Sequence, residues 1–326
     1  AKAEVAKAAK GRSTDPEAQR LYLLARHLVD RLTREDTAKA IGYLHQALAL
    51  EPAFALAWAW LGVASMRQAN SGWHPRADGI ARAREAIAKA LALEADLAEG
   101  HAAMGWLQAA FDWDFRGAQA SYARALELAP GNGLALRWAG GLERRLGRLD
   151  EAIRLTSLAL EHDPLSAIAY RHLGQDLEAA DRLPEAEAAH RKSLEISPQG
   201  AGVHAILSLV LLAQGRSEDA LAEATRESDE GWRLVALACT YHGVGRAAES
   251  DAALRELIEK YAEGNAFQVA TVYGIRGEAD SAFEWLERAY AQRDGGLTEM
   301  RSEPGLRSLV DDPRWGALLT KVGLEG

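Results

Sequence analysis

The chain has 326 residues, 48% of them hydrophobic, with 38 Lys and Arg against 47 Asp and Glu and a net charge of −9. That length suits one long repeat array or two ordinary domains, and an acidic chain without a basic block argues against direct binding of a nucleic-acid backbone. The single cysteine, Cys239, rules out an intrachain disulfide and a thiolate metal cluster, and no apolar run approaches the ~20 residues that span a bilayer.

Ala1 to Lys10 scatters charge through alanines and lacks the apolar core of a signal peptide. It reads as the tail of an upstream helix or a linker, so residues 1–20 are set apart as an N-terminal linker or helix. The chain is then a candidate fragment of a larger protein. A lone thiol suits the cytoplasm, the expected compartment, and the periplasm stays open if a membrane segment lies upstream.

Ser13-Thr14-Asp15-Pro16 carries polar capping groups before a proline, the mark of a helix start. From Leu21 a first hairpin opens, with a helix to about Leu32, a turn at Thr33–Asp36 and a second helix bearing Ala40, Leu44 and Ala47. Pro52 ends it, since proline inside a helix costs ~3 kcal/mol. The second hairpin places Trp58, Leu61 and Gly62 on one face and Ala83, Ile87 and Ala90 on its partner helix. Between them lies an insertion containing Ser71-Gly72-Trp73-His74-Pro75. The third runs from Ala98 to Pro130, with Asp114 as N-cap after the aromatic turn Phe111–Phe115.

Hairpins four and five reveal the period. Pro130, Pro164 and Pro198 stand 34 residues apart, as do Gly140 and Gly174, the alanines 118, 152 and 186, and the arginines 148, 182 and 216. A glycine costs a helix ~1 kcal/mol relative to alanine, so Gly140 and Gly174 are expected where the paired helix crosses too closely for a side chain. Three further hairpins turn at Gly215-Arg216, Gly245-Arg246 and Arg276-Gly277. A last short helix after Asp312-Pro313-Arg314-Trp315 is expected to cover the open end with Trp315, Leu318 and Leu319.

A 34-residue period with small residues, a mid-repeat turn and a terminal proline resembles the tetratricopeptide repeat. The resemblance implies an all-α fold: a right-handed superhelical solenoid of about eight TPR-type helical hairpins over residues 21–291, with a C-terminal capping segment at 292–326. Leu21–Arg26, Asp112-Trp113-Asp114, Ala282–Tyr290 and Asp312–Trp315 are similar, further, to the C-terminal repeat region of bacterial multidomain signalling proteins. There the repeats follow a winged-helix, serine/threonine kinase or adenylate-cyclase-like domain. None of those motifs occurs here, so what carries over is a sensory or scaffolding role without effector activity.

No phosphate-binding glycine loop with lysine, HExxH, CxxC or nucleophile elbow is present, so the chain reads as neither an enzyme nor a cofactor carrier. The nine histidines do not pair with other ligands at metal spacing, and no metal site is expected. Cys239, within the apolar run Val235–Thr240, reads as a buried structural thiol. What remains is recognition. In this fold the first helix of each hairpin lines a concave groove, and Trp106, Arg137, Arg144, Arg171, Gln175 and Glu178 fall outside the packing pattern of those helices. The arginines suit bidentate contact with carboxylates and Trp106 an apolar side chain, which points to a protein or peptide partner. The carboxylate-clamp set of asparagines and lysines is missing. The sequence leaves a second reading open, a small-molecule sensor acting on an attached effector domain, and leaves the oligomeric state open.

Overall fold

The computed structural model describes residue 11 and residues 13–325; the expected linker or helix tail at Ala1–Lys10 lies outside the described residues. Among the described residues there are no strands, and 17 α-helices follow one another as antiparallel hairpins. In chain order they are α1 Pro16–Asp30, α2 Arg34–Leu50, α3 Ala55–Asn70, α4 Arg76–Leu93, α5 Ala98–Leu107, α6 Phe115–Leu128 and α7 Gly133–Arg145. Then come α8 Leu149–His162, α9 Ala167–Ala179, α10 Leu183–Ile196, α11 Val203–Ala213, α12 Ser217–Ala224 and α13 Glu230–Gly243. The last are α14 Ala247–Tyr261, α15 Ala266–Ile275, α16 Ala279–Ala291 and, after two 3-10 turns at Gly295–Glu299 and Pro304–Leu309, α17 Pro313–Val322.

The chain divides into two compact units, with the division inside α7: the first holds residues to Ala139 and Glu161–Pro164, the second Gly140–Leu160 and Leu165 onward. In the first unit Asp15 caps α1 by accepting from the Glu17 and Ala18 N–H groups, and Thr33 caps α2 through the Asp36 N–H. The second and third hairpins each cross at a glycine. A Cβ on Gly62 would lie 2.6 Å from Ile87, and one on Gly105 2.5 Å from the Tyr122 ring. The insertion of the second hairpin has gone into longer helices, leaving only Ser71–Pro75 between α3 and α4. In the third, α5 ends in a π turn at Gln108–Asp112, closed by Trp113 in the left-handed conformation (φ 59°). Phe111, Trp113 and Phe115 are all buried, so these aromatics pack within the unit, and Asp114 caps α6 through the Gly117 N–H.

The second unit repeats the scheme. A Cβ on Gly140 would sit 2.6 Å from the Thr156 hydroxyl, and one on Gly174 2.4 Å from the His190 ring, so the close crossings expected from the glycine step are present. Gly147 takes the left-handed turn after α7 (φ 78°); Asp181 takes the same turn one repeat later, without glycine, at φ 61°. Leu207, Leu211 and Ala220 form a small core in the sixth hairpin, where α12 is only 8 residues long. In α17, Trp315 and Leu318 are buried, and Leu319 is half-buried.

Candidate partner-binding face

The first helices of three hairpins in the second unit, α7, α9 and α15, meet one stretch of the same chain, the 3-10 turns and linker of Gly295–Leu309. Arg144 and Arg145, at the end of α7, share the Glu299 carboxylate: Arg144 Nη2 donates to Oε2 at 3.0 Å and Arg145 Nε to Oε1 at 2.8 Å. At the end of α9, Arg307 donates to the Glu178 and Ala179 carbonyls at 2.9 and 3.1 Å and pairs with Asp181 at 2.7 Å. These carbonyls belong to the last turn of α9, a helix C-terminus, where a cation is favoured. On α15 the Ser308 hydroxyl donates to the Gly274 carbonyl at 3.3 Å, and the Gly305 carbonyl comes within 2.5 Å of where a Cβ on Gly274 would be. That glycine allows the two backbones to meet. Leu297, Met300, Leu306 and Leu309 are buried, at about 1.5–3 kcal/mol for each large apolar side chain, so the stretch is a fixed wall of the site.

Charge on this face is organised around Arg144, which is 5% exposed. Its Nη1 donates at 2.8 Å to Asp176, which is fully buried and accepts a second bond from Thr156 at 2.7 Å. Thr156 is the residue against which Gly140 packs, so the hairpin crossing also orients the ion pair. Burial works against the Arg144 charge, but Glu299 and Asp176 prevail and raise its pKa above the ordinary arginine value. Burial likewise opposes the Glu299 charge, yet Arg144 and Arg145 bring it down to about 2. Asp176 is shifted the other way, because burial outweighs its bonds to Arg144 and Thr156. Glu178 stands apart: burial, then the nearby Glu303 charge, push its pKa up to about 8 against the pull of Arg144 and Arg307.

Arg171 lies in the middle of α9, half-buried, and makes no hydrogen bond or ion pair among the described residues. Burial brings its pKa down to about 10, opposed by Glu227 and reinforced by Arg144. Glu227 is committed elsewhere, accepting from the Ala205 N–H at 3.2 Å and the Asp229 N–H at 2.9 Å. Gln175, one turn along α9, is also half-buried.

The six residues singled out from the sequence thus fall in both units. Arg144, Arg171, Gln175 and Glu178 belong to the second, where Arg144 and Glu178 are buried and Arg171 and Gln175 are partly open. Trp106 and Arg137 belong to the first. Trp106 packs on Trp138 at 4.8 Å and on Phe111 at 6.4 Å between ring centroids, which makes it part of an aromatic cluster. Arg137 is 5% exposed; its Nη1 has no acceptor and its Nη2 lies 3.9 Å from Asp30. Sequence periodicity missed Arg145, Glu299 and Arg307. Glu299 meets α7 across 155 residues, a separation no repeat period reports, and the only local signal was the Arg144-Arg145 pair itself.

Cys239 is fully buried, and burial raises its thiol pKa, so it has no thiolate character. Among the described residues no group of three or more His, Cys, Asp or Glu side chains is arranged to hold a metal ion, and no helix is long and apolar enough to cross a membrane.

A family profile described as tetratricopeptide repeat matches residues 22–71 and 114–156. No curated protein matches the chain by sequence. Among solved structures, the Cut9–Hcn1 hetero-tetramer of the APC/C aligns over 98% of this chain and 59% of that one, at 13% identity and a TM-score of 0.63. The human IFIT1 dimer with PPP-AAAA aligns over 79% of this chain and 69% of that one, at 15% identity and a TM-score of 0.56. PilF of Pseudomonas aeruginosa aligns over 65% and 94% at 17% identity, but with a TM-score of 0.48 it carries no argument. At these identities the likeness is one of fold. Helical hairpins that cross at glycine, a 34-residue step and two matched segments agree: the chain contains tetratricopeptide repeats, at residues 22–71 and 114–156, and the rest continues the same helical-hairpin fold.

Proposed function

We propose that the chain is a scaffold that binds a segment of a partner protein on the first helices of its second unit, within a signalling or regulatory protein. One observation supports this reading above the others: that face already holds a stretch of 3-10 turns, Gly295–Leu309, through arginine–carboxylate pairs and a glycine-permitted backbone contact. A surface that grips one such segment has the chemistry for another, and recognition of acidic motifs by clustered arginines is a general mode. Arg171 and Gln175, partly open beside the occupied part, are the residues assigned to the contact.

The test is site-specific photo-crosslinking in cells, with the crosslinker at Gln175 on this face or at Arg191 on the second helix of the same hairpin. The expected result is a protein adduct from Gln175 alone, lost when Arg171→Glu is added while the helical circular-dichroism spectrum stays unchanged. Equal adducts from both positions, or an adduct indifferent to Arg171→Glu, would overturn the assignment.

A further inference from the structure

The arginines of this face in the second unit are not alike. Arg144 is bonded to two carboxylates, Arg145 to one, and Arg307 to a carboxylate and two helix-end carbonyls. Arg276, on the turn after α15, bonds Asp251 and Glu278 at 2.6 Å each. Arg171 has none of these. Its Nε is sealed from solvent with no acceptor, whereas its two terminal nitrogens are not among the sealed atoms. The open end of the guanidinium is therefore the end that carries four of its five N–H donors. A guanidinium sunk beside another arginine, with the carboxylate that attracts it, Glu227, already bonded to two backbone N–H groups, gains from any anion that reaches it.

The geometry points to Arg171 as the docking residue for an acidic side chain, aspartate or glutamate, of the partner segment, with Gln175 one turn away as a second donor to the same group. This deepens the scaffold reading and rests on it. The chain supplies its own precedent, since Glu299 sits on Arg144 and Arg145 in the same manner one hairpin earlier. The surroundings also select the charge of the group received. A lysine or arginine on the partner would meet Arg171 and Arg144 together, and like charges at close range cost affinity. A neutral amide would leave the buried positive charge without a counter-ion.

The experiment uses the full chain and fluorescein-labelled hexaglutamate, acetylated and amidated so that only side-chain carboxylates are offered. Fluorescence anisotropy should give saturable binding that weakens with added salt. Binding should be about tenfold weaker in Arg171→Met, partly restored in Arg171→Lys and unchanged in Arg255→Met, an exposed position on the second helix α14. Thermal melts of each variant separate lost binding from lost fold. Hexaglutamate binding that ignores Arg171→Met would overturn the proposal. So would hexaglutamine with a free C-terminus binding equally well, because the recognised group would then be a terminal carboxylate. If hexaglutamate fails while the Gln175 crosslink persists, the carboxylate assignment falls and the scaffold reading stands; if the crosslink is missing as well, both fall.

Discussion

Arg137 and Arg171 stand 34 residues apart, at the same place in successive repeats, and their surroundings differ. In the first unit Arg137 is only 5% exposed, with Nη1 sealed and lacking an acceptor and the Asp30 carboxylate 3.9 Å away; burial lowers its pKa although Asp30 and Asp163 oppose the shift. In the second unit Arg171 also lacks a bond, but its side chain is partly open, with Nε sealed and the terminal nitrogens not. Repeat register decides which side of a helix a residue occupies. It does not decide what the side chain meets there, and that second question separates a buried charge with no task from a surface that can take a ligand.

The largest expected effect sharpens the comparison by taking an arginine that is fully bonded. Arg144→Met removes the partner of Asp176, which is 0% exposed, and one of the two arginines on Glu299. Breaking one side of a buried pair costs about 3–5 kcal/mol, because it leaves the other charge uncompensated. Urea unfolding should report a loss of that order, and a loss below about 1 kcal/mol would mean that the network contributes little.

A smaller effect depends on pH. The Glu178 carboxyl has a folded pKa of about 8 against an ordinary value of 4.5. Between those values the folded chain holds more protons than the unfolded one, so this group's contribution is fully present below pH 4.5 and is lost as pH rises to about 8. Its slope is at most about 1.4 kcal/mol per pH unit. Glu178→Gln, which keeps the shape and removes the titration, should stabilise the chain by about 1–3 kcal/mol at pH 8.5 and by much less at pH 5. The groups that set this shift besides burial are Glu303, Arg144 and Arg307, so Glu303→Gln should move the Glu178 transition to lower pH. Melting temperatures across pH 5–9 check both, and parallel curves for the variant and the parent would remove the assignment.

Much of the fold was legible because repeats write their packing into small residues. Gly140 and Gly174 marked the crossings against Thr156 and His190, and Asp114 marked the start of α6. The face assigned to binding was only half legible. Residues at a fixed step along the first helices, such as Arg144 and Arg171, could be read as a set. Glu299, Glu303 and Arg307 could not, because they lie in or next to 3-10 turns beyond the last hairpin and reach α7 and α9 across more than a hundred residues. The π turn at Gln108–Asp112 was hidden for another reason: its aromatic run fits a helix and a packed turn equally well. The same limit applies to Arg137, whose burial depends on neighbours that periodicity does not specify.

The smallest effect is also the most direct test of the difference between the paired arginines. Arg137→Met replaces a buried guanidinium, whose Nη1 has no acceptor, by an apolar side chain of similar length. Removing a buried charge that lacks good partners is neutral or stabilising, so stability should stay within about 1 kcal/mol or rise. Arg171→Met should also change stability by about 1 kcal/mol or less, since it too gives up no hydrogen bond, but it alone should weaken hexaglutamate binding, by about tenfold. A loss above about 2 kcal/mol in Arg137→Met would show that Asp30, at 3.9 Å, holds Arg137 more firmly than its geometry implies. The two positions would then differ in what bonds them inside the fold, and openness to solvent would no longer be what sets Arg171 apart.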